Sequence, residues 1–196
     1  MGGPSNRREL SDAQPCDAAD RFTAGFRPLF RGRGSRTLAV MPQASRLSTI
    51  YQYRQATPTL ATSGQPREEH LAEIAAAGYD VVINLALHDD PRYSLKDEAA
   101  SVRKLGLEYV HIPVQFGAPT EMDLAKFFEA IDTHKNRRVW LHCAANMRVT
   151  VFLGLYRRLR EGWSEDHAFE LMDDIWEPDA VWSAFIRTQL EKSNAG

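Results

Sequence analysis

Cysteine is scarce in this sequence: Cys16 and Cys143 are the only two in 196 residues, and they lie in unlike surroundings. That scarcity excludes a disulfide framework and fits a reducing compartment, so a cytoplasmic location is the default expectation. Paired Cys-x-x-Cys and His-x-x-x-His spacings are missing as well, and the six histidines are scattered. A dedicated metal site is therefore not expected, and nothing calls for a cofactor. No apolar run is long enough to span a bilayer, and no signal-type hydrophobic segment stands near Met1. An excess of one charge is also lacking, since 24 Lys and Arg face 26 Asp and Glu for a net charge of -2. No global field recruits nucleic acid or a membrane. No internal repeat is visible.

What the chain does have is 43% hydrophobic residues, enough at this length to bury one solid core. They are unevenly placed. Residues 1–45 hold Gly and Pro, seven arginines against four acids, and little apolar periodicity, so they read as a disordered N-terminal extension. Met41, just ahead of the periodic part, reads as an alternative native start. Residues 46–192 form the expected domain, and 193–196 a short tail.

Within that domain, strand and helix signals alternate. Tyr51–Ala56 reads as a strand and Leu60–Pro66 as a turn entering a helix, with Pro66 at its first position and Gly78 ending it in left-handed conformation. Val81–Leu87 reads as a strand covered on both faces. Ser94 would cap the next helix with Asp97 at capping-box distance, and Tyr109–Val114 reads as a strand that Pro113 ends or places beside an edge. Thr120 and Asp123 would open a helix carrying Leu124, Phe127, Phe128 and Ile131, followed by a strand over Val139–Leu141. Two more helices follow, one capped by Ser164 and one opened by Pro178. The alternation implies an α/β fold of three layers, a mostly parallel central sheet flanked by helices, with a ligand crevice beyond the carboxyl ends of the strands.

Cys143 stands at such an end. The order His142-Cys143, then Ala144, Ala145, Asn146 and Met147, then Arg148 and an apolar helical run, is the order that builds an anion site. Backbone N–H groups at a helix start have no intrahelical acceptor and cradle an oxyanion, and an arginine fork clamps it. The same positive bowl draws a cysteine from about 8.5 toward roughly 3.5 to 7.5, making a thiolate nucleophile.

These residues resemble the signature of the cysteine-based tyrosine and dual-specificity phosphatases: His-Cys, five residues, Arg, then Ser or Thr. Here only four residues separate Cys143 from Arg148, so the loop is one shorter. Asn146 stands where that family has glycine, and asparagine enters the left-handed region readily. Thr150 falls at the position of the family's hydroxyl. A second likeness lies far from the cysteine: Ser63-Gly64-Gln65-Pro66, the helix after it, Gly78-Tyr79 and the strand from Val81 resemble a bacterial branch of dual-specificity-like phosphatases. Rhodanese sulfurtransferases also carry a cysteine loop of this spacing, and the distant motif weighs against them.

The resemblance implies metal-independent hydrolysis of phosphate monoesters through a phosphocysteine, on a phosphorylated protein or a small molecule. Cys143 would attack phosphorus. Arg148 and the Ala144, Ala145, Asn146 and Met147 amides would hold the phosphoryl oxygens, with Thr150 assisting and His142 supporting the loop. It also places a general acid on the loop after the Tyr109 strand, where Glu121 and Asp123 are the available carboxylates, each with a rival job in opening a helix. Asp89 and Asp90, in an earlier turn, are further candidates. A phosphate-binding pseudoenzyme and a sulfurtransferase are the alternative readings. The sequence leaves substrate and oligomeric state open.

Overall fold

The computed structural model describes residues 44–194, so the expectations for the arm ahead of them, Met41 included, and for the last two residues lie outside the described residues. A short helix, α1 (Ala44–Leu47), leads into β1 (Arg54–Thr57) and β2 (Leu60–Ser63). Then come α2 (Glu68–Ala76), β3 (Val81–Asn84), α3 (Glu98–Lys104), β4 (Glu108–His111), α4 (Glu121–His134), β5 (Val139–His142), α5 (Met147–Leu159), α6 (Glu165–Asp173) and α7 (Ala180–Asn194). The sheet order is β1-β2-β5-β3-β4. β2, β5, β3 and β4 run parallel, and β1 is an antiparallel edge.

Alternation along each central strand divides the core in two. Val139 and Leu141 of β5, with Val81 and Ile83 of β3, pack beneath Leu124 and Phe127 of α4, Phe152 of α5 and Trp182 of α7. Trp140 and Val82 point the other way, toward Leu71 and Ile74 of α2 and Val102 of α3. Helices therefore cover both faces, the three-layer α/β arrangement that the alternating pattern predicts. α5 is buried almost all round, from Val149 through Arg157, as a helix running between a sheet and a second rank of helices must be. This pins the helix that follows Cys143.

Several boundaries differ from expectation. Leu60–Ser63, read as a turn, is β2, inside the sheet against β5; Ala61, Thr62 and Ser63 are too small to show an apolar pattern, and pairing with β5 decides their conformation. β1 begins at Arg54, and Tyr51–Tyr53 form the turn before it. α2 starts one residue after Arg67, whose N–H donates to His70 Nδ1 at 3.2 Å. α3 is capped by Asp97, whose Oδ1 accepts the Ala100 N–H at 3.0 Å, while Ser94 donates to the Asp90 carbonyl. α7 opens on Asp179, whose Oδ1 accepts from Val181 and Trp182, rather than on Pro178. Gly78 ends α2 at φ +83°, as expected. Among the described residues no helix is long and apolar enough to cross a membrane.

Candidate active site

The carboxyl ends of β2, β5 and β3 stand side by side, with Ser63, His142 and Asn84 in register. Cys143 follows His142 directly and is fully buried. Its backbone is held on both sides: the Cys143 N–H donates to the Ser63 carbonyl at 3.3 Å, and the Leu85 N–H to the His142 carbonyl at 2.8 Å. The chain then turns through Ala144, Ala145 and Asn146 into α5. Asn146 lies in the left-handed region at φ +63°, ψ -2°. Its Nδ2 donates to the Gln52 carbonyl at 2.8 Å and to Thr62 Oγ1 at 2.9 Å. The side chain thereby anchors the turn that its backbone makes possible. Gln52, itself at φ +52°, is held from the other end of the same bond.

The Ser-Gly-Gln-Pro run, singled out at a distance from the cysteine, braces this loop. The Gln65 N–H donates to the Ala144 carbonyl at 3.1 Å, and Gly64 pairs with Ala145 in an isolated bridge. A Cβ on Gly64 would fall 2.9 Å from the Ala144 carbonyl oxygen and 2.7 Å from Cδ1 of the Tyr51 ring. Only glycine lets the two segments approach so closely.

Arg148 is the second residue of α5 and only 8% exposed. Its guanidinium lies over the Phe116 ring at 5.2 Å, Nε has no hydrogen-bond partner, and no carboxylate pairs with it among the described residues. A buried guanidinium facing no acid is costly unless an anion completes it. Phe116 belongs to the loop between β4 and α4 and also packs against Trp176 and Trp182. The loop expected to bring an acid thus brings an aromatic ring to the arginine.

The predicted carboxylates have other partners. Asp123 closes a capping box, accepting from Thr120 N–H at 3.2 Å and from Thr120 Oγ1 at 2.7 Å. Glu121 pairs with Lys192. Asp90 is gripped by Arg92, and Asp89 is exposed. Residues 113–119 contain no Asp or Glu. The Thr150 hydroxyl donates to the Met147 carbonyl at 2.9 Å and accepts from Trp176 Nε1 at 3.3 Å, so its bonds run to backbone and indole.

One residue the sequence reading passed over is Glu98, the first of α3, which is 1% exposed. Oε1 lies 2.9 Å from His142 Nε2, with the ring tilted off a linear hydrogen bond, and accepts from Gln65 Nε2 at 3.3 Å. Oε2 accepts from Asn84 Nδ2 at 2.9 Å and Tyr109 OH at 3.3 Å, with His88 Nε2 at 3.6 Å. Burial pushes the Glu98 carboxyl up, but His142, Gln65 and His88 together hold it below its ordinary value. The same burial, reinforced by Glu98, pushes the Tyr109 hydroxyl well above its usual range. A signal was present in the sequence: Glu98 lies one turn before Val102, on the core face of its helix.

The sign for stability follows from the depressed folded value. Ionised Glu98 stabilises the fold fully above the unfolded value of 4.5, and that contribution is lost as pH falls through the lower folded value. The gap in thermal midpoint between the native protein and Glu98→Gln should therefore shrink as pH falls from about 5 toward 3; a gap that widens over that acidification would contradict the assignment. A second test addresses the loop. Asn146→Ala should unfold more readily than Asn146→Gly by about 1 to 2 kcal/mol, because both lose the side-chain bonds but only alanine bears the left-handed penalty. Equal denaturant midpoints for the two would show that φ is not held there.

A buried cysteine at the carboxyl end of a parallel strand, with a buried arginine in the first turn of the next helix, defines a cysteine-phosphatase-like α/β protein. More particularly, the profile of the family described as "DSP-PTPase phosphatase fused to NAD+ Kinase" matches residues 42–174, and the chain belongs to that family. The solved structure of a DUF442 phosphatase-like protein from Shewanella putrefaciens CN-32 is 32% identical, with a TM-score of 0.68 over 76% of this chain and 97% of that one. Tk-PTP in its active form shares the fold, with a TM-score of 0.59 at 22% identity over 74% of this chain and 97% of that one. A beta-lactamase hydrolase-like protein of Xylella fastidiosa is 35% identical over 98 residues, 49% of this chain; the match spans 22% of that relative's length.

Proposed function

We propose that this protein hydrolyses phosphate monoesters through a phosphocysteine on Cys143. The observation that carries the reading is Arg148: a buried guanidinium without an acidic partner, opening the helix that follows a buried cysteine. A phosphoryl group in the loop would complete it, taking the arginine fork and the amides from Ala144 to Met147 on its equatorial oxygens. Cys143 would then attack phosphorus in line with the leaving oxygen, and water would release phosphate from sulfur. His142 supports the nucleophile from behind, and Thr150, tied to Met147, holds the first turn of the helix in shape.

Leaving-group protonation is the step with least provision. Asp123 and Glu121 serve the opening of α4 in this geometry, so the reading favours esters whose leaving group departs unprotonated, aryl phosphates before alkyl phosphates. Asp123→Asn is expected to cost about 1 kcal/mol of stability through the weakened cap while leaving kcat on an aryl phosphate nearly intact. If instead kcat drops by roughly 10² to 10⁴, Asp123 is the general acid.

The absence of an acid in residues 113–119 also favours a second reading, an oxyanion-binding protein that does not turn its ligand over. Rapid-quench mixing with an aryl phosphate separates the two. Hydrolysis through Cys143 gives a stoichiometric burst of phenol and a phosphorylated Cys143 peptide by mass spectrometry. Binding without either product would leave only recognition.

A further inference from the structure

We infer that Glu98 is a positioning residue for Cys143, tying both of its chain neighbours to one buried carboxylate oxygen. The inference rests on the reading of Cys143 as the reacting group. On the amino side the link is direct, since Glu98 Oε1 touches the ring of His142 at 2.9 Å. On the carboxyl side it runs through Gln65, whose Nε2 donates to the same oxygen and whose backbone N–H donates to the carbonyl of Ala144.

A carboxylate 1% exposed is a costly choice for the first turn of α3, where an apolar residue would carry no electrostatic penalty. The cost is offset only by ligation from every neighbouring element. Gln65 precedes α2, Asn84 ends β3, His88 follows it, Tyr109 comes from β4 and His142 from β5. Asn84 is itself oriented, because its Oδ1 accepts the Ala86 N–H at 2.7 Å, which turns Nδ2 toward Glu98. Glu98 thus has little freedom to move, and neither do the two groups flanking the cysteine. Among the described residues no hydrogen bond or ion pair joins Arg148 to this network, and its guanidinium lies over the Phe116 ring instead. The loop is therefore held from two independent sides: Glu98 governs where sulfur sits, Arg148 governs where phosphate sits.

That division predicts a selective effect. Glu98→Gln keeps the shape and removes the charge, so sulfur loses its fixed approach while the phosphate cradle persists. In a Cys16→Ser background, kcat on an aryl phosphate should fall roughly 10- to 100-fold with KM changed less than about threefold. Alkylation of Cys143 by iodoacetamide at neutral pH should slow several-fold in parallel. Because one of the two arms runs through His142, the same change made in His142→Asn should have a clearly smaller effect on either rate, leaving only the part carried by Gln65. Gln65→Ala, which cuts the other arm and leaves the His142 contact in place, should give a smaller loss of the same kcat-selective kind.

A full-sized Glu98 effect persisting in His142→Asn would overturn the inference, as would native kcat and native alkylation in folded Glu98→Gln. If Glu98→Gln does not fold, Gln65→Ala decides: native rates there reject the tether. Should the unmutated protein turn over no phosphate ester, the phosphatase reading falls by itself, and the alkylation rates still decide the role of Glu98.

Discussion

Replacing Cys143 by serine is expected to abolish turnover of an aryl phosphate, lowering kcat by roughly 10⁴- to 10⁶-fold, as loss of a nucleophile does elsewhere. The substitution exchanges one atom in a fully buried position, so the Ser63 and His142 backbone bonds that hold the loop should remain. What changes is chemistry. Sulfur is intrinsically a better nucleophile than a hydroxyl oxygen, and on the proposed mechanism it is the atom that attacks phosphorus. Oxyanion binding should survive because Arg148 and the loop amides are untouched. Tungstate titration followed by calorimetry should give an affinity within about tenfold of the native protein, a difference of about 1.4 kcal/mol. Native turnover by purified, metal-free Cys143→Ser protein would sink the mechanism.

Arg148 should show an exchange between activity and stability. On the proposed mechanism Arg148→Met removes the fork that would meet the transferring phosphoryl group, and kcat/KM should fall by about 10³- to 10⁵-fold, the range seen for arginines that neutralise such a transition state. The fold itself should gain. In phosphate-free buffer the guanidinium is buried beside Phe116 without an acidic partner, and an apolar side chain of similar volume relieves that penalty by about 1 to 3 kcal/mol. Addition of phosphate should then raise the melting temperature of the native protein and leave that of Arg148→Met unmoved, since only the former has a site to fill. A variant that is both inactive and markedly less stable would instead make Arg148 a structural cation held by its aromatic neighbour.

Gly64 reports on the same loop from the other side. Gly64→Ala forces a methyl against the Ala144 carbonyl oxygen, which is backbone and cannot swing away as the Tyr51 ring can. The strain should appear as about 1 to 3 kcal/mol lost in chemical denaturation, together with reduced activity.

The likenesses to solved structures bear on the fold, and the candidate site is legible without them. His142-Cys143, the small residues, Arg148 and the apolar run are contiguous, and a strand-to-helix junction imposes its geometry locally. The left-handed Asn146 was legible for the same reason: its conformation depends on its own side chain and position in the turn. The strands over Val81, Tyr109 and Val139 were legible because β-branched and apolar residues cluster there.

β2 was not legible, since Leu60–Ser63 becomes a strand only through its neighbour β5, and nothing about Ala61, Thr62 and Ser63 taken alone distinguishes strand from turn. Nor was the bracing by Gln65 and Glu98, which are 33 residues apart and meet only when α3 packs over the ends of β3 and β5. The rival roles of Asp123 could be named from Thr120 three residues earlier; that the Arg148 side would be met by Phe116 could not.

Read alone, the chain specified where an anion would be gripped and by which side chains, because amide donors, a guanidinium and a thiol arrive on consecutive residues whose local geometry is set within a single turn. The folded structure decided how that candidate loop is braced from behind, through a carboxylate, an amide and an imidazole drawn from separate elements. A buried charge finds partners by packing across the sheet, and sequence distance carries no record of that choice.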